Sequence, residues 1–80
     1  EDLKHEPKKA LVAKDKGLGD LKLIIEQSTK VLKGGGMLIL EHGYEQEKEV
    51  GNILKENNFL DIKNLKDFQN LPRITLATLE

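Results

Sequence analysis

Hydrophobic and polar positions alternate along this chain with two different periods, and the changes of period divide it into elements. Leu21, Ile24, Ile25 and Leu32 recur at helical spacing, and Asp20 stands where its carboxylate can accept the free N–H groups of a first turn, so the pattern predicts a helix over 20–33. Gly34-Gly35-Gly36 reads as its stop, because glycine adopts the left-handed conformation that closes helices. MLILEH, residues 37–42, begins with four consecutive apolar residues, the mark of a strand covered on both faces and so of a parallel, central one. EQEKEVGNILKEN, 45–57, puts Val50, Ile53 and Leu54 on one narrow face and charges elsewhere, which predicts an amphipathic helix weakened by Gly51. FLDIKNL, 59–65, alternates in part, and RITLATL, 73–79, is rich in β-branched residues; both read as strands, with DFQNLP as the loop between them. Residues 1–19, with a proline, two glycines and many lysines around Ala10–Ala13, read as a loop with room for one helical turn. The order helix, strand, helix, strand, strand is an α/β pattern that finishes in an antiparallel pair.

Composition narrows the picture. Eighty residues allow one small domain, and with 38% hydrophobic residues, 34% charged and three aromatics (Tyr44, Phe59, Phe68) its core must rest on Leu, Ile and Val. There is no cysteine, hence no disulfide framework and no thiolate metal site; a reducing, cytoplasmic setting is the expectation. A net charge of −1 from interspersed acids and bases gives no electrostatic footprint for nucleic acid. No apolar run approaches the roughly 20 residues of a membrane span, so no membrane partner is expected.

Candidate chemistry gathers at the end of the apolar strand. Glu41, His42, Gly43 and Gln46 follow it directly, and open parallel sheets bind ligands at the carboxyl ends of their strands. A buried strand can end in a carboxylate and an imidazole if that edge lines a cleft. Against this stands the plain alternative that Glu41 and His42 end the strand in solvent or cap the next helix. Adjacent strand residues point to opposite faces, so the two cannot easily share one reacting atom. A metal site is not expected, since His5 and Glu6 offer no matching spacing. The three glycines are a poor phosphate cradle, because such loops follow a strand and open a helix, and here the order is reversed. Asp67 and Arg73 flank the last loop, where an exposed ion pair is expected.

HEPKKAL, KGLGDLKLIIEQS, VLKGGGMLILEHGYEQ and DFQNLPRITLA, taken in order, resemble the C-terminal part of the HemK-type release factor glutamine methyltransferases, over the whole chain. The matching motifs are Glu6-Pro7-Lys8-Lys9-Ala10-Leu11, Gly17-Leu18 and Glu41-His42-Gly43-Tyr44-Glu45-Gln46, with Asp67-Phe68 and Arg73 closing the set. The Leu-x-x-Gly-Gly step into an apolar strand is shared by many class I methyltransferases; the ordered set is more specific.

The resemblance implies the C-terminal part of a class I S-adenosylmethionine-dependent (Rossmann-like) sheet, with 37–42, 59–65 and 73–79 as its last three strands and 73–79 inserted antiparallel between the other two. It further implies a parent enzyme that methylates the side-chain amide of the glutamine in the Gly-Gly-Gln motif of peptide release factors, with S-adenosylmethionine as donor and a release factor as partner. The family's glycine-rich cofactor loop and its Asn-Pro-Pro-Tyr motif have no counterpart here, so no catalytic or cofactor-binding residue carries over, and an isolated fragment is expected to be inactive. Strand 37–42, lacking its neighbour in such a fragment, is expected to expose an edge and promote self-association. The other reading of the same residues is a small standalone α/β interaction module without catalysis.

Overall fold

The computed structural model describes residues 8–13 and 18–80. His5, Glu6 and Pro7 of the first motif, and Gly17 of the second, lie outside the described residues. The elements in chain order are β1 (Lys8–Ala13), α1 (Leu18–Val31), β2 (Leu32–Glu41), a 3-10 turn (Tyr44–Gln46), α2 (Glu47–Glu56), β3 (Phe59–Lys66) and β4 (Pro72–Leu79). One four-stranded sheet forms in the order β1-β2-β4-β3. β1 and β2 are parallel, and β4 runs antiparallel to both β2 and β3, inserted between them as the resemblance implies.

The described part of 1–19 departs from expectation: residues 8–13 are a strand, not a loop. ALVA is too short to show a period, and its strand character comes from pairing Ala10–Ala13 with Met37–Leu40. β2 is therefore flanked on both sides, by β1 and β4, and the unpaired edge expected on 37–42 is absent; the outer strands are β1 and β3.

The first helix spans 18–31 rather than 20–33, so Asp20 sits inside the first turn, where a carboxylate favours the positive end of the helix dipole, and is not its cap. Leu32 belongs to β2 yet joins the same core as Leu21 and Ile25. The three glycines lie within the extended stretch after the helix, where the register jumps from Lys8 opposite Leu32 to Ala10 opposite Met37. Gly35 takes φ +89°, and a Cβ on Gly36 would fall 2.9 Å from the Lys33 carbonyl oxygen, so this irregularity in the strand demands glycine at both positions. α2 ends on two asparagines: Asn57 N–H donates to the Leu54 carbonyl, its side-chain amide donates to the Ile53 carbonyl, and Asn58 takes the left-handed conformation (φ 68°) usual after a helix.

Both helices pack on one face of the sheet, with Leu21 and Ile25 of α1 and Val50 and Leu54 of α2 meeting Leu38, Leu40, Phe59 and Ala77. The partial alternation of β3 has a cause. The pairing slips between Leu60 and Lys63, with Asp61 at φ 53°, so the extra residue lets Phe59, Ile62 and Asn64 all face the helices. Across the second face run Ala10, Met37, Thr78 and Leu60 in one row, Val12, Ile39, Leu76 and Lys63 in the next, and Glu41, Ile74 and Leu65 in a third. This face is largely apolar, and its residues are half-buried or exposed among the described residues.

Gly51 lies in α2 with no atom within 4 Å of the position its Cβ would take. Gly51→Ala is expected to stabilise the chain by about 0.5–1 kcal/mol, read as a melting temperature several degrees higher in thermal unfolding.

Candidate functional site

β2 and β3 run in the same direction, so the turn after β2, the β3–β4 loop and the start of β4 share the carboxyl edge of the sheet. Glu41, the last residue of β2, pairs with Ile74 on the open face; it is exposed and makes no side-chain hydrogen bond or ion pair with the described residues. His42, one residue on, turns the other way and is completely buried under the helices. It ends the strand in the core, not in solvent.

A chain of hydrogen bonds runs through that histidine. Its backbone N–H donates to the Arg73 carbonyl at 2.9 Å. Nδ1 lies 2.8 Å from the Gly43 carbonyl oxygen and Nε2 lies 2.7 Å from Thr75 Oγ1. A carbonyl only accepts, so Nδ1 carries the proton toward Gly43, which leaves Nε2 free to accept from the Thr75 hydroxyl. Asn64 Nδ2 donates in turn to Thr75 Oγ1 at 2.9 Å. Each bond in the series Asn64, Thr75, His42, Gly43 thus has one donor and one acceptor, and among the described residues no buried side-chain polar atom lacks a partner.

The turn beyond closes on itself. Gly43 N–H donates to Gln46 Oε1 at 2.9 Å, and Gln46 N–H donates to the Gly43 carbonyl at 2.9 Å, a reciprocal arrangement that starts α2. The Gly43 carbonyl accepts from both His42 Nδ1 and Gln46 N–H, using both of its lone pairs. Gly43 itself has φ −69° and ψ 149°, open to any residue, and a Cβ there would meet Gln46 Oε1 at an ordinary 3.5 Å. The exit from β2 therefore does not require glycine for its own shape.

Of the sequence-derived candidates, the structure links His42, Gly43 and Gln46 in one network and sets Glu41 apart on the opposite face. Sequence reasoning missed Thr75 and Asn64. The one available signal was an alternating polar residue in each of two strands, which does not say which imidazole, 33 residues away for Thr75, they reach.

The neighbouring loop is organised by Asp67. Its Oδ1 accepts from Gln69 N–H at 2.8 Å and Leu71 N–H at 3.0 Å, and Oδ2 lies 3.7 Å from Arg73 Nε. The expected ion pair is thus present, half-exposed and worth under about 1 kcal/mol. Two of the three aromatics, Tyr44 and Phe68, stand exposed at this edge, Phe68 fully so.

The chain's likeness to known proteins falls in two layers. In fold, it superposes on a release factor-specific protein-(glutamine-N5) methyltransferase from Alicyclobacillus acidocaldarius with a TM-score of 0.73 at 24% identity, over 98% of this chain and 52% of that one. It also superposes on M1.HpyAVI, solved as a complex with SAM, with a TM-score of 0.65 at 14% identity, over 99% of this chain and 47% of that one. In fold, the chain is therefore like about half of each of these two proteins, as an α/β sheet that ends in antiparallel strands. In sequence, the chain is 40% identical over 76 residues to the release factor glutamine methyltransferase of Haemophilus influenzae and 41% identical over 76 residues to that of Yersinia pestis. The resemblance to release factor glutamine methyltransferases thus holds over 95% of the chain, which spans about a quarter of the length of these relatives (26% and 28%). No family model matches the chain.

Because Asp67 Oδ1 satisfies two backbone donors of a five-residue loop, Asp67→Ala is expected to lower stability by about 1 kcal/mol. Asp67→Asn keeps the acceptor and should retain most of it. Urea unfolding of the two variants checks the difference.

Proposed function

We propose that this chain is the C-terminal portion of the catalytic domain of a protein-(glutamine-N5) methyltransferase, and that its parent transfers a methyl group from S-adenosylmethionine to the glutamine of the Gly-Gly-Gln motif of peptide release factors. The observation that carries this reading is the 40% identity to release factor glutamine methyltransferases across nearly the full chain. The open sheet face supports it independently. A sheet with helices on one side and Met37, Ile39, Leu60, Leu65, Ile74 and Leu76 on the other is half of a layered α/β structure, and the greater length of the relatives can supply a second layer. A standalone interaction module would have to leave that apolar face in water.

Positioning dominates such a reaction, because the donor sulfonium and the acceptor amide must be held together in line. The described residues do not fit the donor. Gly34–Gly36 connect a helix end to a strand and present no helix N-terminus, and each buried polar side-chain atom is already bonded within the chain. The chain alone is therefore inactive in this reading, and the donor is held by parts of the parent outside it. The share of the task that falls to these residues is the carboxyl edge of β2, where the Glu41–Gln46 turn would line the entry of the release-factor loop. Isolated, the chain would self-associate through its open face and its outer strands, seen as concentration-dependent light scattering.

Two measurements test the proposal. Calorimetry of the 80-residue chain with S-adenosylmethionine is expected to show no complex; one-to-one binding at micromolar affinity would overturn the assignment of the cofactor site to the rest of the parent. In the parent enzyme, Glu41→Ala and Gly43→Ala are expected to change stability by no more than about 0.5 kcal/mol, the usual range for exposed or conformationally permitted sites, while weakening release-factor methylation several-fold. Unchanged methylation in both variants would remove the turn from the cleft. Gln46→Ala is the poorer probe, since it also deletes the bond to Gly43 N–H.

A further inference from the structure

We infer that His42 is a positioning residue, a buried pin whose tautomer, set by Gly43 on one side and by Thr75 and Asn64 on the other, fixes the turn that meets the substrate. The inference rests on the reading of the chain as part of a release factor methyltransferase. It goes further by assigning roles to three residues that touch neither donor nor acceptor.

Chain connectivity alone does not fix the turn. Gly43 has no side chain and an unrestrictive φ, and Tyr44 and Glu45 are exposed. Two bonds hold the peptide between Gly43 and Tyr44, both to the same carbonyl: one from Gln46 N–H within the turn and one from His42 Nδ1 beneath it. The Gln46 bond shapes the turn but moves with it. His42 ties it to the body of the sheet, because Nε2 is held by Thr75 on β4 and Thr75 by Asn64 on β3.

Direction matters as well as contact. Asn64 can only donate through its amide nitrogen, so the Thr75 oxygen accepts there and its hydroxyl hydrogen is released toward Nε2. That arrangement holds the ring proton on Nδ1, aimed at Gly43. With the opposite tautomer the Thr75 hydrogen would have no acceptor at the ring, and Nδ1 would face a carbonyl lone pair. A fully buried site makes both faults costly. The two antiparallel strands thereby determine the placement of a turn at the end of a parallel one.

Thr75→Val keeps the shape and removes the hydroxyl; Thr75→Ser keeps the hydroxyl. In the 80-residue chain, long-range nitrogen–proton correlation spectra are expected to show His42 protonated on Nδ1. Thr75→Val should shift the Gly43 and Gln46 amide resonances, and Thr75→Ser should restore them. In the parent enzyme, Thr75→Val is expected to raise KM for the release factor about fivefold, the size of one lost hydrogen bond, with KM for S-adenosylmethionine unchanged. Leu54→Ala, in the core and outside the network, serves as the control for stability loss, and Asn64→Ala gives a milder break should Thr75→Val fail to fold.

An Nε2-protonated ring would overturn the inference. So would turn amides indifferent to Thr75→Val, or an equal rise in KM for Leu54→Ala and Thr75→Val. If the unaltered parent fails to methylate release factors, the functional reading fails instead, and the spectra of the isolated chain decide the role of His42 alone.

Discussion

The insertion of β4 between β2 and β3 is the constraint on which the rest of this small structure depends. β2 and β3 run in the same direction and do not pair with each other; the antiparallel strand pairs with both and turns three segments into one surface. It also carries two of the residues that close the core beneath α2. Ala77 leaves room for the helix, and Thr75 brings a buried hydroxyl between Leu40 of β2 and Asn64 of β3. Without a strand running against its neighbours, neither the core nor the carboxyl edge would exist in this form.

A polar group in so small a core must be fully bonded, and here the solution is linear. An exposed asparagine, a buried threonine and a buried histidine hand the hydrogen-bond direction from β3 to β4 to the end of β2. The last bond leaves the core at a backbone carbonyl. The sheet's interior and its carboxyl edge are thus parts of one hydrogen-bonded structure, and the edge inherits the rigidity of the interior.

Much of this was legible in the residues. The two helices and the last two strands lie close to their sequence-derived positions, with Leu21 and Ile25 marking α1 and Val50 and Leu54 marking α2, while the apolar run 37–40 marks only the second half of β2, which begins at Leu32. β1 was not legible, since ALVA has no period of its own and becomes a strand by pairing. The glycine run misled at the helix end, because glycine serves an irregularity within a strand as readily as a helix stop. In the site, sequence located the turn through its position after a buried strand. Strand alternation already set Glu41 and His42 on opposite faces, but which of the two is buried, and that Thr75 reaches the imidazole, could not be read there, because long-range pairing decides both.

The left-handed Asp61 in β3 carries a consequence for how this strand can vary. By adding one residue it inverts the parity of everything after it, which is why Ile62 and Asn64 face inward while Lys63 and Leu65 face out. Losing one residue between Leu60 and Ile62 would not shorten the strand so much as turn it over, sending a lysine into the core and taking Asn64 away from Thr75. In this strand the number of residues is a tighter constraint than their identity, and sequence drift there can be expected to proceed by substitution far more readily than by insertion or deletion.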